Sequence, residues 1–232
     1  MPLKFNKMLG IIGGTSLLYS DLPDYEKKIV STPYGKSEVL IGDGFAVLLR
    51  HQGEKPPHMV NFRSHLAALA ILGVTRIVSI GSSGSLKQEI IPGSIVIPSD
   101  YISIPDIPTI HDHAINHIHP HLDLELGKRM AVKLEDANFG GTYVQTRGPR
   151  IETAAEIRAL AMVGDIVGMT VASEASLACE LEIPFFAICT VDNYANGLTS
   201  EKLTFEHILS NSKKFSKRSE RMVQMIISEL SG

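Results

Sequence analysis

Phe185–Val191 reads FFAICTV, an apolar run that only Thr190 interrupts. A strand with one wet face alternates apolar and polar side chains. A run without alternation is a strand buried on both faces, as in a sheet covered by helices on each side. Arg76–Ile80 (RIVSI) has the same β-branched character, and Thr142–Gln145 and Asp165–Gly168 are shorter strands. Among them lie segments with helical spacing, Thr153–Met162 and Glu174–Leu181. Upstream, Leu9–Ile12 is a buried strand halted by Gly13-Gly14. Val39–Ile41 and Phe45–Leu49 flank the hairpin signal Gly42-Asp43-Gly44, and Asn61–Leu72 is a helix stopped by Gly73. Ser94–Ile97 is a further strand after the turn Ile91-Pro92-Gly93. Leu122–Asn138 recovers helical spacing after Tyr101–Asp123, an excursion rich in Pro, His and Asp. From Thr204 onward the chain reads as an amphipathic helix with a basic face. Strands and helices intermixed in this way predict an α/β fold around a buried mixed sheet. No repeat, low-complexity segment or Gly/Ser linker divides residues 1–232, which read as a single domain.

Composition narrows the function classes. Hydrophobic residues make up 44% and charged residues 20%, enough for a sizeable core. A net charge of -3 gives no basic footprint for nucleic acid or an anionic membrane, so any phosphate site must be local. The two cysteines, Cys179 and Cys189, sit in apolar stretches outside any C-x-x-C spacing, as buried thiols in a reducing compartment do. The start of the chain lacks a signal-peptide core, and no apolar run approaches the ~20 residues that span a bilayer. A cytoplasmic protein is expected.

In α/β sheets ligands bind at loops after the carboxyl ends of strands. That rule selects residues 13–16, 50–61, 81–85, 168–174 and 190–197. Gly13-Gly14-Thr15-Ser16 lets backbone N–H groups and hydroxyls approach an anion, yet matches neither a dinucleotide nor a Walker A motif. As a structural element it is equally a tight turn. Arg50-His51 leaves a buried strand, where a forked guanidinium could anchor phosphate; the plain alternative is a surface arginine. Gly81-Ser82-Ser83-Gly84-Ser85 approximates the G-x-S-x-G nucleophile elbow, but Ser85 stands where the last glycine should, which disfavours a serine hydrolase. His111, His113, His117, His119 and His121 crowd one stretch with Asp112, but without an H-E-x-x-H helix, so no metal is expected. Glu152 precedes a helix and could simply favour its dipole. Asp192-Asn193 ends the FFAICTV strand, where an amide could read a heterocycle edge or merely turn the chain.

Together these segments resemble the trimeric/hexameric purine nucleoside phosphorylase and methylthioadenosine phosphorylase family. The likeness is carried by IIGGTS (11–16), TPYGK (32–36), RH (50–51), VNFR (60–63), GSL with IIPGSIVIP (84–98), RGPRIETAAEIR (147–158) and VGMTVASEASLACEL (167–181). It implies a mixed sheet with a distorted barrel, flanked by helices, and a homotrimer or homohexamer. It implies no metal or organic cofactor, inorganic phosphate being a co-substrate. By position, the resemblance puts phosphate at Thr15, Arg50, His51, Gly81, Ser82 and Thr170. Base and ribose fall at Ile151, Met169, Asn193, Tyr194 and Ala195, with His117 reaching into an adjoining subunit's site. Departures are Gly81, which has no hydroxyl, Val171-Ala172-Ser173 in place of a proline before Glu174, and Asp192, a charge beside the base site.

Two positions then select the base. The resemblance implies a glutamate, here Glu152, for 6-oxopurines and a small hydroxyl residue for 6-aminopurines. A carboxylate accepts from the N1–H of hypoxanthine or guanine, whereas adenine N1 would set acceptor against acceptor and leave a buried carboxylate unpaired. Asn193 stands where 6-aminopurine enzymes carry an aspartate, and its amide can donate to O6 or N7. Phe205 falls where an apolar residue implies a 5′-methylthio group, while His207, two residues on, would imply a 5′-hydroxyl. The expected reaction is therefore phosphorolysis of S-methyl-5′-thioinosine, inosine or guanosine, with Asn193 and His51 as catalytic residues. The alternatives are a methylthioadenosine phosphorylase, if Asp192 moves into the selector position, and a non-catalytic nucleoside-binding protein on the same scaffold.

Overall fold

The computed structural model describes residues 8–15, 17, 25–200, 204, 210–211 and 216–231. In chain order the strands are β1 (Met8–Gly13), β2 (Glu26–Thr32), β3 (Gly35–Gly42), β4 (Phe45–Leu49), β5 (Val74–Ser85) and β6 (Ile95–Ile97). They continue with β7 (Asp100–Ser103), β8 (Ala137–Phe139), β9 (Thr142–Gln145), β10 (Ile166–Gly168) and β11 (Phe185–Tyr194). The helices are α1 (Phe62–Ile71), α2 (Leu124–Lys133), α3 (Ala154–Leu160), α4 (Val171–Glu180) and α5 (Ser216–Leu230).

All of these strands join one mixed sheet that forks at β5. One arm runs β2-β3-β4-β1 to β5 and on through β10, β9 and β7; the other leaves β5 through β11, β6 and β8. The arms are tied together twice. β6 passes into β7 through Pro98-Ser99, and β8 into β9 through Gly140-Gly141, so each link joins one arm to the other. These corners bend the forked sheet into the distorted barrel that the family resemblance implies.

The missing polar alternation now has its cause. In β11, Phe185, Ala187, Cys189 and Val191 face one core with α1 and α4, while Phe186 and Ile188 face a second with α2 and α5. A smaller cluster of Leu86, Val144, Ile157, Val167 and Ala195 lies under α3. Helices therefore cover both faces of the central strands, and neither face can be polar.

The structure corrects several expected boundaries. Gly81–Ser85 is not a loop: β5 continues through it, paired with β11 from Ile77 to Ser85 and with β10 at Gly84 and Ser85. Its small residues are there for fit, since a Cβ on Gly81 would lie 3.0 Å from Val171 Cγ2. The helix expected over 122–138 stops at Lys133, because the chain turns at Asp136 (φ 59°) and Ala137–Phe139 pairs with β6 instead. β2 was hidden by its exposed Glu26, Lys27 and Lys28, and Asp100–Ser103 forms a strand at the head of the supposed excursion. The last helix is seen over Ser216–Leu230, with Phe205 and His207 outside the described residues.

Candidate functional site

β1, β4, β5 and β11 run parallel, so their carboxyl ends meet at one rim. A cavity of about 910 Å³ opens there, large enough for a nucleoside and an anion together. Thr15, Arg50, His51, Ser82 and Thr170 line one set of its walls, and Ile151, Glu152, Met169, Asn193, Ala195 and Asn196 another. Gly81 and Tyr194 do not line it. Gly81 is buried strand backbone, and the Tyr194 hydroxyl donates to the Gln88 carbonyl at 3.2 Å. His117 is exposed and likewise outside the cavity of its own chain.

Arg50 is the best-held residue of the site. It is 2% exposed, and its Nε and Nη2 donate to the Glu174 carboxylate at 2.5 and 3.0 Å. Nη2 also donates to Ser79 Oγ (2.8 Å) and Nη1 to the Ile80 carbonyl (3.2 Å), while Ser79 Oγ donates to Glu174 at 2.6 Å. Burial works against the Arg50 charge, but the bonded Glu174 carboxylate more than offsets it and raises its pKa. The fork is thus given to Glu174, and Nη1 retains one hydrogen for a ligand. Gly14 is required beside it: a Cβ there would sit 2.7 Å from Nη1 and 2.8 Å from the Ile80 carbonyl oxygen.

His51 Nδ1 lies 2.8 Å from the Lys55 carbonyl. A carbonyl can only accept, so Nδ1 carries the proton and Nε2 of the neutral ring offers a lone pair. Burial, and then the neighbouring Arg50 charge, lower the His51 pKa and favour that neutral form. The loop after it is fastened to β3, since the Gln52 amide exchanges hydrogen bonds with the Glu38 backbone at 2.9 and 2.7 Å. Thr170 is the N-cap residue of α4, yet its side chain caps nothing. The Tyr143 hydroxyl instead takes the Thr170 and Val171 N–H groups, at 3.3 and 3.4 Å, leaving the Thr170 side chain at the cavity wall.

At the other wall Glu152 is buried and ends the segment before α3. Thr146 Oγ1 donates to its Oε1 and Asn196 Nδ2 to its backbone carbonyl, which fixes the carboxylate and leaves Oε2 as an acceptor. Asn193 spends one amide hydrogen on the Tyr194 carbonyl (2.9 Å) and keeps a second donor and its oxygen. Asp192, the neighbour that could have replaced it, is absent from the lining. It is the bulged residue where β11 shifts register against β5, and its carboxyl bonds Ser82. Among the described residues no group of histidines, cysteines and carboxylates could hold a metal ion, the His-rich stretch included.

A profile described as "Phosphorylase superfamily" matches residues 8–228. The chain belongs to the phosphorylase superfamily. It is similar to the "Probable 6-oxopurine nucleoside phosphorylase" of Archaeoglobus fulgidus, 36% identical over 96% of this chain and 97% of the relative. It is also similar to the "Probable S-methyl-5'-thioinosine phosphorylase" of Methanocaldococcus jannaschii, at 36% identity over 95% and 92%. Among solved structures, the methylthioadenosine phosphorylase of Schistosoma mansoni in complex with adenine superposes with a TM-score of 0.84. At 23% identity over 97% of this chain and 92% of that one, it speaks for the fold.

Within this phosphorylase fold the residues that sequence reasoning missed are those behind the front rank: Glu174, Thr146, Tyr143 and Asn196. Only Glu174 carried a signal. A carboxylate in the small apolar helix VASEASLACE demands a buried cation, and Arg50 was available.

Proposed function

We propose that this chain catalyses phosphorolysis of a 6-oxopurine nucleoside, releasing the free base and a ribose 1-phosphate. The observation that carries the base preference is the buried Glu152 carboxylate, fixed by Thr146 with Oε2 left open, beside Asn193 rather than Asp192. An acceptor held there matches the N1–H of hypoxanthine or guanine and opposes adenine N1. The Archaeoglobus fulgidus relative is named as a probable 6-oxopurine nucleoside phosphorylase and the Methanocaldococcus jannaschii relative as a probable S-methyl-5'-thioinosine phosphorylase, in keeping with that choice.

In the proposed mechanism phosphate lies among Thr15, Arg50, Ser82 and Thr170, beneath C1′ of the sugar. As the C1′–N9 bond breaks, its electron pair passes to the purine and positive charge grows on the ribose. A phosphate oxygen stabilises that charge and closes the new C1′–O bond. Asn193 donates to the charge growing at N7 or O6. Neutral His51 offers Nε2 to a proton on phosphate or on a ribose hydroxyl. Ile151, Met169 and Ala195 bound the base and sugar. No metal or organic cofactor takes part. His117, exposed and outside its own chain's cavity, fits a role in a neighbouring subunit of a trimer or dimer of trimers.

The test is base release from inosine, adenosine, 5′-methylthioinosine and 5′-methylthioadenosine, each with and without phosphate. Cleavage of the inosine pair alone, and only with phosphate, is expected. The ratio within that pair reports the 5′ preference that Phe205 and His207 set. Preference for the adenosine pair would overturn the base assignment, and no cleavage of any would favour the binding-protein alternative.

A further inference from the structure

Ser82 lines the cavity, but its Oγ is within hydrogen-bond distance of Asp192 Oδ2. Asp192 is 2% exposed, and its Oδ1 has no hydrogen-bond partner. A serine has one proton. If the carboxyl is ionised, Ser82 must give that proton inward and turns only lone pairs towards the cavity. If the carboxyl is neutral, it can donate to Ser82 Oγ, and the Ser82 hydroxyl is free to donate outward.

The surroundings of Asp192 bear on which state persists. β5 and β6, paired with β11 at this end, contribute no charged side chain over Gly81–Ser85 or Ile95–Ile97. α4 brings Glu174, already bonded to Arg50, and Cys189 on β11 itself is a buried thiol whose pKa is pushed up to about 12. α2 adjoins the far end of the strand, where Asp123 N–H bonds the Phe185 carbonyl. Arg218 of α5 donates to the Gly93 carbonyl, and Asn211 Nδ2 bonds the backbone carbonyl of Asp192 rather than its carboxyl. Among the described residues no cation meets the carboxyl, and burial pushes its pKa up against the opposing bond from Ser82.

We propose that Asp192 is a positioning residue for phosphate, setting whether Ser82 faces the anion as a donor or as an acceptor. The proposal rests on the phosphorylase reading, in which Ser82 is part of the phosphate site. With the carboxyl neutral, Ser82 donates to a phosphate oxygen. With it ionised, the hydroxyl presents a lone pair and a negative charge stands directly behind it, both repelling the same ligand.

The experiment is calorimetric titration of the full chain with inorganic phosphate from about pH 5.5 to about pH 8.5, alongside inosine phosphorolysis. Wild type is compared with Asp192→Asn, whose amide donates to Ser82 at every pH, and with Ser82→Ala alone and combined with Asp192→Asn. The second ionisation of phosphate is common to all four and cancels in their ratios. The binding of wild type should approach that of Asp192→Asn as the pH is lowered towards the acid end. At the alkaline end wild type should be weaker by about tenfold or more, as expected for a charge-assisted bond reversed. In the Ser82→Ala background the Asp192→Asn change should have a clearly smaller effect at the alkaline end, since only the repulsion of the carboxylate charge remains there. Parallel profiles for wild type and Asp192→Asn, in proteins that bind phosphate, would overturn the proposal alone. Absence of phosphate binding and of phosphorolysis in all four would overturn the phosphorylase reading and this proposal with it.

Discussion

Glu174 never reaches the cavity lining, yet the phosphate wall depends on it, because it holds the buried Arg50 guanidinium by two hydrogen bonds from behind that wall. Glu174→Ala would leave an unpaired buried cation and should destabilise the fold by about 3–5 kcal/mol, read by denaturant titration. Thr146→Val removes the bond that aims Glu152 while keeping its volume. The ratio of kcat/KM for inosine over adenosine should fall, by less than in Glu152→Ser, which removes the carboxylate itself. His65 is a third case. It is buried on α1 with Nδ1 unpartnered, and burial, then the Arg50 charge, lower its pKa from 6.5 to about 4. Folding therefore excludes a proton that the unfolded chain takes up below 6.5. Stability is full above that value and should decline by about 3 kcal/mol as pH falls to the folded value. His65→Leu should flatten this part of the acid limb, and an unchanged slope would show that His65 is not its source.

At the scale of elements, legibility followed local chemistry. The helix after Glu152 could be read from its spacing, and the structure fixes its start with a capping box in which the Thr153 and Glu156 side chains each bond the other's backbone N–H. Thr153→Ala should cost about 1 kcal/mol in denaturant unfolding. β11 could be read because both its faces are apolar. What failed was β5 beyond Ile80: Gly81-Ser82-Ser83-Gly84-Ser85 has the composition of a turn, and only its two neighbours, distant in the chain, make it a strand. β8 failed likewise, since three residues carry no period and a reversal at Asp136 has no sequence mark. The site divided along the same line. Thr15, Arg50, His51, Ser82, Glu152, Thr170 and Asn193 were named from motifs and do line one cavity. Which of them keeps a free donor was not legible, because it depends on Glu174, Lys55, Asp192 and Tyr194 bonding them across the fold or along the chain.

For the molecule as a whole, β5 is the strand through which everything is joined, touching β1 and β10 along one edge and β11 along the other. Its pairings bring residues 8–13 to 74–80 and residues 185–194 to 77–85, so the cavity walls are separated by most of the chain until both ladders close. Closing such loops costs entropy before any contact repays it, which makes this kind of topology slow to fold. Helices α1 and α4 can gain residual structure early, but no fragment of the chain contains a usable site. In refolding from denaturant, helical circular dichroism should recover in earlier phases, and phosphate-dependent base release only with the last. For a cell making this protein residue by residue, the consequence is a long interval on the ribosome. A chain released as far as β10 has strands β1, β4 and β5 with one edge of β5 still unpaired, exposing apolar surface until the final fifth of the sequence emerges to cover it.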